Sequence, residues 1–132
     1  MLIKKLKDCK EITAGDRTRL RELLHPDRDP AKIHYSLAVA WLAPGARSRA
    51  HRLKTAEVYY LVRGTGLMHI GEEAAEVTAG DAVYIPPGSV QWLENTGKEE
   101  IELLCIVDPA WQPEDEETLW EKHRAQPLLG PG

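Results

Sequence analysis

The stretch GARSRAHRLKTAEVYYLVRGTG, Gly45 to Gly66, holds an imidazole at His51 and a carboxylate at Glu57. Both groups donate and accept protons, and both ligate divalent metals. His51 and Leu53 stand two apart, as do Glu57 and Tyr59, so on extended backbone each pair shares a face. Leu53 has no donor atom and cannot ligate, although it stands where a second ligand would be useful. Two arrangements fit these residues. One is a metal site with an apolar group in place of a ligand, and the other is a buried, hydrogen-bonded histidine–carboxylate pair. An uncompensated buried carboxylate is costly and a cation is the usual remedy, which favours the metal. Tyr59 is a candidate proton donor to a bound molecule, or a lining residue of the interior.

The elements that must position these groups read as strands. IHYSLAVAWLAPG, Ile33 to Gly45, is apolar almost throughout and stops at Pro44-Gly45, as a strand covered on both faces does. From Ala56 the chain runs in short apolar stretches cut by Gly64, Gly66, Gly71, Gly80 and Pro86-Pro87, a spacing that predicts a sandwich or barrel. In the last of them Ile101, Leu103, Cys105 and Val107 share one face, so Cys105 is expected to point inward as a small buried residue beside the site. DRTRLRELL, residues 16 to 24, is consistent with one or two helical turns or with extended chain. QPEDEETLWEKHRA has Pro113 near a first turn, acidic residues at its start and basic ones at its end, which predicts a short helix. His69 alternates with Gly66, Met68 and Ile70 and is expected to face outward. Trp41, Trp92, Trp111 and Trp120 are too many large apolar groups for a free surface, and some of them are expected in a ligand pocket or a subunit interface.

Composition narrows the classes. Seventeen basic against 21 acidic residues give a formal charge of −4 with no block of like charge, and no stacking motif accompanies RTRLR, so neither nucleic acid nor a membrane surface is an expected partner. No apolar run approaches bilayer length and MLIKKLKDCKEI lacks a signal-peptide pattern. Cys9 and Cys105 form no disulfide framework, so a reduced, cytoplasmic setting is expected. Arg47, Arg49, Arg52 and Lys54 bracket His51, either as an anion-binding rim or as a solvated loop.

Two spaced patterns identify a family. The first reads Gly45, five residues, His51-x-Leu53, three residues, Glu57, six residues, Gly64; the second reads Gly80, five residues, Pro86-x-Gly88, two residues, Gln91, three residues, Asn95. These resemble the paired motifs of the cupin superfamily, small single-domain conserved-barrel type, in which Leu53 and Gln91 replace histidines. The resemblance implies an all-β jelly-roll (double-stranded β-helix) barrel with a short C-terminal helical tail. It implies a barrel over 31–110, an N-terminal arm over 1–30 packing on it, and the tail over 111–132. Transferred residue by residue, it implies that His51, Glu57 and Gln91 hold one divalent transition metal (Fe, Mn, Ni or Zn), with water completing the shell. Leu53, Cys105 and Arg49 are expected in the ligand pocket and Tyr59 as the catalytic proton donor. The implied function is a metal-dependent isomerase, lyase or dioxygenase acting on a small oxygenated acid or sugar, in a homodimer. The alternative is a non-catalytic barrel that binds or senses a small ligand, its metal site depleted or absent.

Overall fold

The computed structural model describes residues 1–119, and among them eleven strands pair into two antiparallel sheets. The larger sheet contains β1 (Glu11–Thr13), β2 (Arg19–Leu24), β3 (Ser36–Leu42), β5 (Ala56–Arg63), β8 (Ala82–Ile85) and β10 (Ile101–Asp108), in the order β1-β2-β3-β10-β5-β8. The smaller contains β4 (His51–Leu53), β6 (Thr65–Ile70), β7 (Glu73–Thr78), β9 (Gln91–Asn95) and β11 (Glu116–Thr118), in the order β11-β4-β9-β6-β7. From β3 to β6 and from β7 to β11 consecutive strands cross between sheets, giving the all-β jelly roll that the spacing of glycines and apolar runs predicts.

One core joins the inner faces. Leu42, Leu61, Met68, Ile85, Leu93, Ile101 and Leu103 are buried together, and each such side chain contributes about 1.5–3 kcal/mol by leaving water. Two motif residues serve this packing. Gly64 adopts φ +97°, and a side chain there would strike Ile101. Asn95 donates to the carbonyls of Leu42 and Glu99 and accepts from the Gly97 amide, closing the turn before β10.

β3 orients its residues in an uncommon way. Its inward positions are Ser36, Ala38, Ala40 and Leu42, in register with Val107, Cys105, Leu103 and Ile101 of β10. Leu37, Val39 and Trp41 take the opposite face, where Val39 is buried and the Arg19 guanidinium lies 5.0 Å from the Trp41 ring centroid. The outer face of the larger sheet continues through half-buried Leu104 and Ile106 to exposed Tyr60, Val62 and Tyr84.

At two places the chain settles or departs from expectation. Residues 19–24 are extended and pair with β3, settling the ambiguity of DRTRLRELL. The expected C-terminal helix is limited, among the described residues, to a 3-10 turn at Pro113–Asp115, after which Glu116–Thr118 pairs with β4. The free edge of β4 offers backbone partners that outweigh the favourable charge pattern. The rest of that expected helix, with Trp120, lies outside the described residues. Among the described residues no helix is long and apolar enough to cross a membrane.

Candidate functional site

Between the sheets lies a cavity of about 790 Å³. It exists where β3 turns Ser36, Ala38 and Ala40 inward, because small side chains leave the inter-sheet space unfilled. Strand register decides which polar groups enter it. Glu57 pairs with Val107 and Tyr59 with Cys105, so these four face the cavity from the larger sheet. His51 and Leu53 face it from β4, and the pairing Leu53↔Glu116 turns Glu116 the same way from β11.

His51 is 4% exposed, and its Nδ1 lies 2.9 Å from the carbonyl oxygen of Arg49. That contact requires Nδ1 to carry the proton, leaving Nε2 as the open nitrogen of the neutral ring. Nε2 points toward Asp16, whose Oδ2 is 3.9 Å away. Burial works to lower the pKa of His51; the carboxylates of Asp16 and Glu57, the Arg49 carbonyl and Glu116 outweigh it, so the pKa lies above its usual 6.5. Glu57 is 6% exposed and accepts a 3.0 Å hydrogen bond from Gln91 Nε2. Burial pushes its carboxyl up to about 7, against the opposing pull of His51 and of the Gln91 amide. Burial likewise drives Tyr59 and Cys105 well above their ordinary values, so both keep their protons at neutral pH.

The sequence-expected residues fall in three groups. His51, Leu53, Glu57, Tyr59 and Cys105 all line the cavity. Gln91 pairs with His51 across β4 and β9 and stands behind Glu57, outside the cavity lining. Arg49 acts through its backbone, accepting from His51 and donating its amide to the Asp16 carbonyl, and its side chain is not part of the cavity wall. Of the basic group bracketing His51, read as an anion-binding rim or a solvated loop, Arg47 pairs with Glu94 and Arg52 with Glu117. His69 faces away from the cavity, as expected, stacked on Trp92 with ring centroids 4.3 Å apart.

Two carboxylates escaped the sequence reading. Asp16 sits in a tight loop where Arg17 has φ +75°, and its Oδ1 accepts from the Thr18 amide (3.1 Å) and hydroxyl (2.7 Å). Glu116 accepts from Trp111 Nε1 at 2.9 Å, and its carboxylate packs so closely on Gly15 that a Cβ there would collide with it. Trp111, expected in a pocket or interface, lines this cavity. Its carbonyl accepts from Nε2 of fully buried His25, which joins the segment after β2 to the segment after β10.

The donor set falls short of a resident metal of the usual kind. Among the described residues no three His, Cys, Asp or Glu side chains converge to hold an ion. Leu53 fills the second histidine position with hydrocarbon, and Gln91 turns its NH₂ toward Glu57.

Comparison with known proteins gives a consistent relationship. The cupin domain family profile matches residues 38–107. An uncharacterised protein of Methanocaldococcus jannaschii is 38% identical over 111 residues, covering 83% of this chain and 88% of its own. The oxalate-binding protein of Thermotoga maritima is 30% identical over 67 residues, covering 50% of this chain and 55% of its own. Pac13, a nucleoside dehydratase from Streptomyces also solved with uridine, superposes with a TM-score of 0.71 at 18% identity, over 89% of this chain and 90% of that one.

Proposed function

The chain belongs to the cupin superfamily, conserved-barrel type, and from that premise we propose that it binds a small organic molecule between its sheets and exchanges protons with it through Glu57 and His51. One observation carries the reading: His51, Glu57 and Tyr59 open onto the same cavity of about 790 Å³. A carboxyl held near 7 is present in both protonation states at neutral pH, which suits a general acid or base. His51, with Nδ1 anchored, offers Nε2 as its partner. Tyr59 supplies a hydroxyl that stays protonated and donates to an oxygen of the bound molecule. These groups support isomerase- or lyase-type chemistry, in which a proton leaves one atom and returns to another. Pac13 gives a precedent for a dehydratase on this fold, although the fold by itself fixes no reaction.

The test is to screen small polar organic compounds by thermal shift and follow deuterium uptake from D₂O into each hit by proton NMR. Uptake in the native chain and its loss in Glu57→Gln, with the hit still bound, is the expected outcome. Uptake that persists in Glu57→Gln sinks the assignment.

A second reading, in which His51, Glu57 and Gln91 hold one divalent transition metal, is favoured by one atom. Gln91 Oε1 is buried with no hydrogen-bond partner, as an amide oxygen awaiting a cation would be. Elemental mass spectrometry on protein purified without chelator or affinity tag separates the readings. The acid–base reading expects little metal in the native chain and substantial loading of Leu53→His/Gln91→His. Near-stoichiometric metal in the native chain selects the second reading. With either reading we assign a second copy of the chain to the outer face of the larger sheet, where Tyr60, Val62 and Tyr84 are exposed. Light scattering that returns a monomer overturns that assignment.

A further inference from the structure

Trp111 stands outside both sequence motifs, yet it is held more firmly than its place after the last long strand requires. Its amide donates to Ser36 Oγ at 2.9 Å, and its carbonyl takes Nε2 of fully buried His25 at 2.7 Å. Its indole Nε1 donates to Glu116 Oε1 at 2.9 Å. The residues on either side are tied as well. The Ala110 amide donates to the His34 carbonyl, and Gln112 Nε2 donates to Asp27 Oδ2.

These bonds carry the ring from one sheet to the other. Ser36 belongs to β3 of the larger sheet and Glu116 to β11 of the smaller, so backbone and indole nitrogen are anchored on opposite walls. The level is that of the reactive groups, because Ser36 is in register with Val107, and Val107 with Glu57. The rings on the cavity lining are those of His51, Tyr59 and Trp111. The first two are 4% and 6% exposed, whereas Trp111 is half-buried and keeps surface that the protein does not cover. Beside it on β3, Ser36 and Ala38 are short and leave the inter-sheet space open. An indole has one polar group, and here Glu116 has taken it. What the ring retains for a guest is its π surface.

Resting on the small-molecule reading above, we propose that Trp111 is the platform on which the guest's body stacks, and that the cavity selects a planar, unsaturated ring carrying a polar substituent. The ring lies against the indole and the substituent meets Glu57 and His51. Flat rings stack on an aromatic surface with a gain beyond that of the apolar area they bury. The platform is fixed through its amide, its carbonyl and its ring nitrogen before any guest arrives, so little freedom is lost on binding. Leu20, Leu93 and Leu103 supply apolar contact on the other walls.

Two uncharged probes of matched outline decide the matter: 2-naphthalenemethanol and its saturated counterpart decahydro-2-naphthalenemethanol, titrated into the full chain and followed by calorimetry and proton NMR. Burial of apolar area alone would favour the bulkier saturated compound. Stacking reverses that order, and the naphthyl compound is expected to bind about two- to tenfold tighter, with its ring protons shifted upfield. Trp111→Leu should abolish both the preference and the upfield shift, which assigns the shift to the indole and not to Tyr59. Trp111→Phe keeps a ring without the N–H and should retain most of the preference. The bonds to Ser36 and His25 are made by the backbone and survive either substitution, and circular dichroism checks that each variant is folded. Should Trp111→Leu fail to fold, the order of the two probes on the native chain and on Trp111→Phe decides. Equal binding of the two probes, or a preference that survives in folded Trp111→Leu, overturns the platform and leaves the small-molecule reading standing. Failure of both probes to bind the folded native chain also overturns it, and the compound screen above then judges the small-molecule reading by itself.

Discussion

The two ends of the barrel are built by the same strands. β5 presents Glu57, Tyr59 and Leu61 inward in turn, opposite Val107, Cys105 and Leu103 of β10. β3 runs beside β10 with Ser36, Ala38, Ala40 and Leu42. At one end these positions carry a carboxyl, a hydroxyl and small groups, and a cavity opens. At the other, fully buried Leu61 and Ile101 fill the space. Alternation decides which residues face inward; their volume and polarity decide whether the interior becomes core or site. Chemistry therefore belongs to a position along the strand, not to a particular strand.

The sharpest way to test this contrast is to cut the filled end. Leu61→Ala removes a side chain with no exposure and should cost about 2–5 kcal/mol, read from urea unfolding. A cost under about 1 kcal/mol would mean that the two ends are packed alike. The next effect arises at the open end and depends on pH. Burial raises the Glu57 carboxyl from 4.5 to about 7, so between those values the folded chain holds a proton that the unfolded chain releases. Its stabilising contribution is complete below pH 4.5 and disappears as pH rises to about 7, a loss of at most about 3 kcal/mol. His51, raised above 6.5, acts with the same sign, favouring the fold at lower pH and fading as pH climbs through its folded value. Glu57→Gln should flatten the fall between pH 4.5 and 7, and an unchanged pH slope would show that the carboxyl is not perturbed. The smallest effect lies on the rim. Gly15→Ala brings a methyl group against the end of the flexible Glu116 side chain, which can swing aside, and should cost under about 1 kcal/mol, largely relieved in Gly15→Ala/Glu116→Ala. Strict additivity in that cycle would show that the two residues do not press on each other.

Much of the open end was legible in the sequence, and the reasons are local. His51, Leu53, Glu57 and Tyr59 lie within one strand–turn–strand stretch, where parity alone assigns their faces. The glycine and proline spacing that announced the barrel also encodes its turns, as φ +97° at Gly64 and +94° at Gly80 show. Asp16 and Glu116 were invisible for the opposite reason. They lie a hundred positions apart in the chain, and they reach the cavity through a tight loop and an edge pairing that no local periodicity reports. The acidic run around Glu116 matched a helix start in charge. A backbone ladder with β4 outweighed that match, because edge pairing is decided by a neighbour and not by the segment itself. Arg49 meets His51 and Asp16 through its carbonyl and amide, groups that every residue type supplies.

β3 holds the cavity open by what it omits, and the groups that could act on a ligand stand on other strands and loops. Substitutions at Ser36, Ala38 and Ala40 can therefore change the length of molecule admitted while His51, Glu57 and Asp16 stay as they are. Under selection, the size of the guest and the treatment it receives are free to drift apart. One lineage of such barrels can exchange ligands by adding or trimming single methyl groups, with its reactive groups left untouched.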